Sequence, residues 1–597
     1  MCGIAGEIRF DEKPADIAAV TTMTAALHRR GPDGWGIHAG DATALGHRRL
    51  KIIDLSDRAA QPMVDPELGL AVVFNGCIYN YRELRSALGA AGYRFFSDSD
   101  SEVLLKAYHR WGTSCVDHFL GMFAFAVLER DSGRLVLGRD RLGIKPLYLS
   151  QTGSRLRFAS TLPALLAAGD VDTAINPVGL HHYLSFHSVV PAPHTILAGV
   201  EKLPPATVRT VYPDGRREDR EYWRPAFSRG GRGLDIVDWP GAVLDALRLA
   251  VQRRMVADVP VGVLLSGGID SSLVVALLAE GGWPGLRTFS VGFEAAGGES
   301  GDEFVYSDQV AAHFGTEHQK IMVESDRLLP AVDSAIDAMS EPMVSHDCVA
   351  FYLLSEEVAR SVTVVQSGQG ADEVFAGYDW YPPLADVPRD QAVAAYTKVF
   401  VDRPHAELAD LLEPEWLAGR DFDFDSDHSR AFVDMHFGAP GADTALDAAL
   451  RLDTTVMLVD DPVKRVDNMT MAWGIEARVP FLDHELVELA AACPPELKLA
   501  AGGKGVLKAA SRGVVPDTII DRPKGYFPVP AIRHLSGSFL DRVRDAVTDP
   551  VAKDRGLFRP DWLQRMLADP NTERTTLGSN ALWQVALLEM WLQDRGV

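Results

Sequence analysis

The run Val261-Gly262-Val263-Leu264-Leu265 is followed at once by Ser266-Gly267-Gly268-Ile269-Asp270-Ser271-Ser272 and then by Leu273-Val274-Val275-Ala276-Leu277-Leu278. An apolar β-branched run, a glycine turn and an apolar helical run read as strand, turn and helix, the context in which a helix N-terminus meets an anion. Two glycines let backbone N–H groups approach phosphate, serine hydroxyls add donors, and the helix dipole adds partial positive charge. No lysine follows the glycines, so this is not a Walker A loop. A Gly/Ser turn without function is the bland alternative.

Reading outward, further short β-rich runs occur at 287–293 and 362–365, the second leading into Ser367-Gly368-Gln369-Gly370-Ala371-Asp372-Glu373. From about Pro240 onward helical spacing dominates around these runs: Val243, Leu247, Ala250 and Val251 share one face. Strands alternating with helices predict βαβ units, a parallel sheet and phosphate-binding turns at the strand C-termini, followed by a helical tail. Toward the N-terminus the pattern changes to short apolar runs between Gly, Pro and Asp turns, as at 70–74, 123–128 and 134–137, which predicts a strand-rich half. The turn signal at 212–217 and the Gly/Arg-rich stretch 228–233 mark the junction, so the expected domains are 1–215 and 235–597. The Asp-rich stretch 421–427 reads as a solvated loop.

With 597 residues, 47% hydrophobic and 24% charged, the chain is too long for one core. A net charge of −23 repels nucleic acid and anionic lipid apart from any local basic site. The five cysteines, Cys2, Cys77, Cys115, Cys348 and Cys493, form no CxxC pair, which fits a reducing compartment better than a zinc or disulfide framework. No run approaches the roughly 20 apolar residues of a membrane span, and the start has no leader pattern. These features predict a cytoplasmic protein that binds no membrane.

Glycine after Cys2 suits trimming of Met1, which would leave a thiol and an α-amine on one residue. Such an amine, with an ordinary pKa of roughly 7.7–8.0, can take the thiol proton directly or through water. A cysteine at position 2 is by itself more often incidental than catalytic. The neighbouring blocks change that: His28-Arg29-Arg30-Gly31-Pro32-Asp33, His47-Arg48-Arg49-Leu50, Asn75-Gly76-Cys77-Ile78-Tyr79-Asn80 and Ser99-Asp100-Ser101-Glu102.

In this order and spacing they resemble the class II glutamine amidotransferase domain. With the second half, nearly the whole chain resembles the glutamine-dependent asparagine synthetase family. The resemblance implies an α/β protein: an Ntn-type αββα sandwich glutaminase followed by a parallel α/β PP-loop ATP pyrophosphatase domain with a helical tail. It implies that Cys2 attacks the glutamine amide, with Asn75 and the Gly76 N–H as oxyanion donors. Arg49 would grip the glutamine α-carboxylate and Asp100 its α-ammonium. On the ATP side it implies contacts from Leu264, Ser266, Gly267, Gly268, Asp270, Ser271, Val291, Ser367 and Gly368, with Asp270 and Asp372 on Mg2+ and Lys524 neutralising phosphate. A homodimer is a further implication. The block from Lys464 to Met469 and the run Glu476-Ala477-Arg478-Val479-Pro480-Phe481-Leu482-Asp483-His484 also resemble the family, and Arg478 and Asp483 are expected to pair under the active site, direct substrate contact being the alternative.

Two positions depart from the common form. Cys77 stands where an acidic residue is usual and is expected to be a small packed side chain. Gln369 stands where asparagine-forming members carry Glu; its amide can position a nucleophile but cannot take a proton from ammonia. With Phe186-His187-Ser188-Val189-Val190-Pro191-Ala192-Pro193, these features resemble the N-acetylglutaminylglutamine amidotransferase branch. The implied acceptor is that dipeptide's α-carboxylate; aspartate, as in ordinary asparagine synthetases, is the alternative. A silent nucleotide-binding scaffold is disfavoured by the intact Cys2, Asn75, Asp270, Asp372 and Lys524. An ATP-dependent cyclase of the β-lactam synthetase type is disfavoured by the cysteine.

Overall fold

A computed structural model describes residues 2–228, 233–294, 301–345, 347–417, 426–523, 525 and 534–597. Two six-stranded antiparallel sheets form the N-terminal half. One runs Glu201–Lys202, Tyr148–Thr152, Arg155–Ala159, Gly3–Arg9, Thr43–Arg49, Gly34–Gly40; the other runs Arg217–Glu221, Thr207–Val211, Leu135–Arg139, Gly121–Glu129, Leu70–Ile78, Met63–Asp65.

The strand period of two builds the layers. Ala71 and Val73 join Ala124, Ala126 and Leu128 in a core shared with Ile4, Leu45 and Phe158 of the facing sheet. Their sequence neighbours Val72, Phe74, Phe123 and Phe125 point the other way, onto Val103 and Leu104 of the helix Asp100–Trp111. The helix Ile17–Ala26 covers the other sheet with Val20 and Met23. The result is the expected αββα sandwich. The turn signal at 212–217 joins two paired strands, so the sheet runs on through Glu221.

In the C-terminal half five parallel strands lie in the order Glu317–Val323, Arg287–Phe293, Val261–Leu264, Val364–Gln366, Glu476–Arg478. The helix Trp239–Arg253 buries Val243, Leu247, Ala250 and Val251, the face that their spacing predicts. The tail ends in the helix Ala581–Asp594, buried from Ala581 to Leu592. Of the expected Asp-rich loop, 421–425 lie outside the described residues, and Asp427 caps the helix His428–Gly438. Among the described residues no helix is long and apolar enough to cross a membrane.

Buried charge joins the two halves. Asp467 meets Arg30 at 2.8 Å and Lys145 at 3.2 Å, and Lys202 meets Asp460 at 2.7 Å and Glu341 at 2.9 Å. Paired charges of this kind hold register, since removing one partner strands the other without water.

Candidate active site

The register that sets Gly3 opposite Arg48 brings the chain start beside Arg49 and Leu50. The Cys2 backbone is held from two sides: its N–H donates to Asn75 Oδ1 at 3.0 Å, and its carbonyl accepts from Arg30 Nε at 3.3 Å. With Oδ1 so engaged, the Asn75 amide turns Nδ2 into the interior, where that donor is buried and has no partner among the described residues. Gly76 must be glycine, because a Cβ there would lie 2.2 Å from the Met122 carbonyl oxygen and 2.7 Å from Phe123 Cα.

Cys2, Arg49, Gly76, Cys77 and Asp100 line one cavity of about 30 Å³. Such a space admits about two waters. Arg49 is anchored by the carbonyls of Ser56, at 2.7 Å, and Asp54, which uses two of its five N–H donors. Asp100 accepts the Ile78 N–H at 3.1 Å. Burial pushes its carboxyl up to about 6, against that hydrogen bond. Burial likewise pushes the Cys2 thiol up, with Arg49 among the groups pulling back. Cys77 is buried and its thiol is raised by desolvation.

Glu476 also lines this cavity, although its strand belongs to the parallel sheet. The expected Arg478–Asp483 pair does not form. Residues two apart on a strand share a face, so Arg478 donates to Glu476 Oε1 at 2.5 Å, and to the carbonyls of Arg254 and Val256 at 2.8 Å each. Asp483, beyond a turn, caps the helix His484–Ala492 and pairs with Arg254 at 3.0 Å. Burial opposes the Glu476 charge, but surrounding cations including Arg478 and Lys145 outweigh it and hold the carboxyl below its ordinary value.

The second cavity, about 350 Å³, lies at the C-terminal ends of the parallel strands. Leu264, Ser266, Gly268, Asp270, Ser271, Val291, Ser367, Gly368, Gln369 and Asp372 line it. Gly267 does not; it makes the turn, with φ +74° and Ser307 N only 2.6 Å from where a Cβ would sit. Lys524 lies outside the described residues. Lys504 is an addition. Its ammonium lies 2.7 Å from Asp270 and 3.0 Å from Asp372, which hold its pKa well above the usual lysine range despite burial. The signal for it was Gly502-Gly503-Lys504-Gly505, a glycine-rich turn ahead of a helix.

Residues 242–593 match the family model for asparagine synthase, and residues 1–223 match that for a glutamine amidotransferase domain. The chain belongs to the asparagine synthase family. It is accordingly a glutamine-hydrolysing carbon–nitrogen ligase of the asparagine synthetase type, in a family that uses ATP. Similar family members include the glutamine-hydrolyzing asparagine synthetase 1 of Bacillus subtilis, 30% identical over 99% of this chain and 96% of the relative. Asparagine synthetase B of Escherichia coli is 28% identical over 94% of this chain and 90% of its own length. Amidase chry2 of Gibberella zeae is 26% identical over 94% and 93%. Relatives of this architecture thus include both asparagine synthetases and an amidase.

Proposed function

We propose that this family member hydrolyses glutamine at Cys2 and passes the ammonia to a carboxylate adenylated in the second cavity, releasing AMP and pyrophosphate. The observation that carries the first half is the buried, unpartnered Asn75 Nδ2 beside the Cys2 backbone. A donor left unsatisfied in the interior costs free energy unless an oxyanion comes to meet it. Asn75 Nδ2 and the Gly76 N–H are assigned that role, Arg49 the α-carboxylate and Asp100 the α-ammonium. The two modules are assigned as 1–215, with its sheet continuing to Glu221, and 235–597.

On the nucleotide side, Leu264 and Val291 are assigned to the adenine, and the Ser266 to Ser271 turn with Ser367 and Gly368 to the phosphates. Asp270 and Asp372 fit Mg2+: both are hard oxygen donors, and they already share one cation, the Lys504 ammonium. Bound there, Mg2+ would neutralise phosphate charge. Lys504 would then turn to the phosphates, and Lys524 is assigned a similar part on resemblance alone.

The acceptor is assigned as the terminal carboxylate of N-acetylglutaminylglutamine. The reading is supported by Gln369, whose neutral amide both donates and accepts hydrogen bonds and so matches an amide-rich, amine-blocked acceptor. Aspartate is the second reading, favoured by the likeness to asparagine synthetases. Incubation with ATP, ammonia and either acceptor, followed by AMP, separates them. AMP formed with aspartate and not with the dipeptide overturns the assignment.

A further inference from the structure

Away from both cavities, three segments distant in sequence converge. The helix Pro177–Ser185 carries His181, the helix His405–Leu411 begins with His405, and Asp427 caps the helix His428–Gly438. One ligand atom from each of His181, His405 and Asp427 lies within 4.8 Å of the others. His181 Nε2 and His405 Nδ1 are 3.0 Å apart. Two imidazole nitrogens on one ion at about 2.0–2.1 Å are separated by about 2.9 Å at a right angle and about 3.3 Å at the tetrahedral angle. The two rings, which share a hydrogen bond, are therefore already at ligand spacing.

The surroundings orient these groups. His181 Nδ1 lies 3.1 Å from Ser429 Oγ, the outer hydrogen bond that fixes which ring nitrogen faces a metal. Asp427 Oδ1 accepts the Arg430 N–H at 3.0 Å, which pins the carboxylate without using its second oxygen. His181 is buried while His405 and Asp427 are half-buried. The His428 ring stands 5.5 Å from that of His181.

We propose that His181, His405 and Asp427 form a divalent transition-metal site, with Zn2+ the favoured occupant and the fourth position left to water or His428. Imidazole nitrogens with one carboxylate suit Zn2+, whereas Mg2+ and Ca2+ call for all-oxygen cages. None of the three residues lines the thiol or the nucleotide cavity, so the ion acts as a clamp between the helix after the sandwich and two helices of the C-terminal half.

The test uses the full-length protein, stripped with EDTA and titrated with Zn2+ against a chromophoric chelator, with bound metal per chain measured by elemental analysis. Wild type should hold one zinc equivalent more than His405→Gln or Asp427→Asn, or bind that equivalent at least about 10-fold more tightly. Co2+ loaded in place of zinc should show ligand-field absorption that His405→Gln loses. Both substituted residues are half-buried, and unchanged circular dichroism and glutaminase activity would show that the fold survives. Equal zinc stoichiometry and affinity in wild type and both variants, or no uptake by any of them, would overturn the site.

Discussion

Glu476 sits on the parallel sheet of the nucleotide cavity, yet its carboxylate lines the cavity of the Cys2 thiol. Two residues further along the same strand, the Arg478 carbonyl accepts the Ser367 N–H at 2.9 Å, and Ser367 lines the nucleotide cavity. The three-residue strand therefore lines the Cys2 cavity itself and reaches the second cavity only through its hydrogen bond to Ser367.

Asn75→Ala should lower glutamine-driven turnover by about 100- to 1,000-fold, the usual loss of one oxyanion donor. Ammonia-driven AMP formation should stay near wild type. Cys2→Ala should separate the two activities in the same way, and equal loss of both in a folded variant would contradict the division of labour.

With Asp100 on the glutamine α-ammonium, as proposed, the glutamine reaction should show an acid limb. A carboxyl near 6 in the free enzyme binds ammonium only when ionised, so kcat/KM for glutamine should fall as pH drops below about 6. The same parameter for ammonia, measured between pH 5 and 8, should lack that limb once corrected for ammonia's own protonation.

Glu476→Gln leaves Arg478 as a buried guanidinium without its carboxylate. Loss of one partner from such a pair costs about 3–5 kcal/mol. The urea midpoint of the first unfolding transition should drop, and pairing the change with Arg478→Met should recover part of the loss.

His47 is fully buried and donates from Nε2 to the Phe74 carbonyl at 3.2 Å. Burial lowers its pKa from 6.5 to about 3. The unfolded chain then takes up a proton before the folded one does. Its contribution is whole above about 6.5 and is lost as pH falls toward 3, by up to about 1.4 kcal/mol per pH unit. Thermal melts of His47→Gln should show a shallower decline over that interval.

Asp270→Asn should weaken ATP-dependent AMP release while leaving basal glutaminase activity, because the residue lines only the second cavity. Mg2+ titrations of AMP formation should shift to higher concentration in this variant.

Local order alone carried much of this protein. The alternation of Ala71, Val72, Val73 and Phe74 set two faces of a strand, and Ser266 to Ser271 after an apolar run set a strand, an anion turn and a helix. Both are short-range patterns, governed by backbone periodicity and by which residues a tight turn accepts. Only the tertiary structure decided that Arg478 pairs with Glu476, that Lys504 bridges Asp270 and Asp372, and that His181 meets His405. Those contacts join side chains from separate elements, and burial then selects partners by charge and distance across the packed core, information that no local spacing contains.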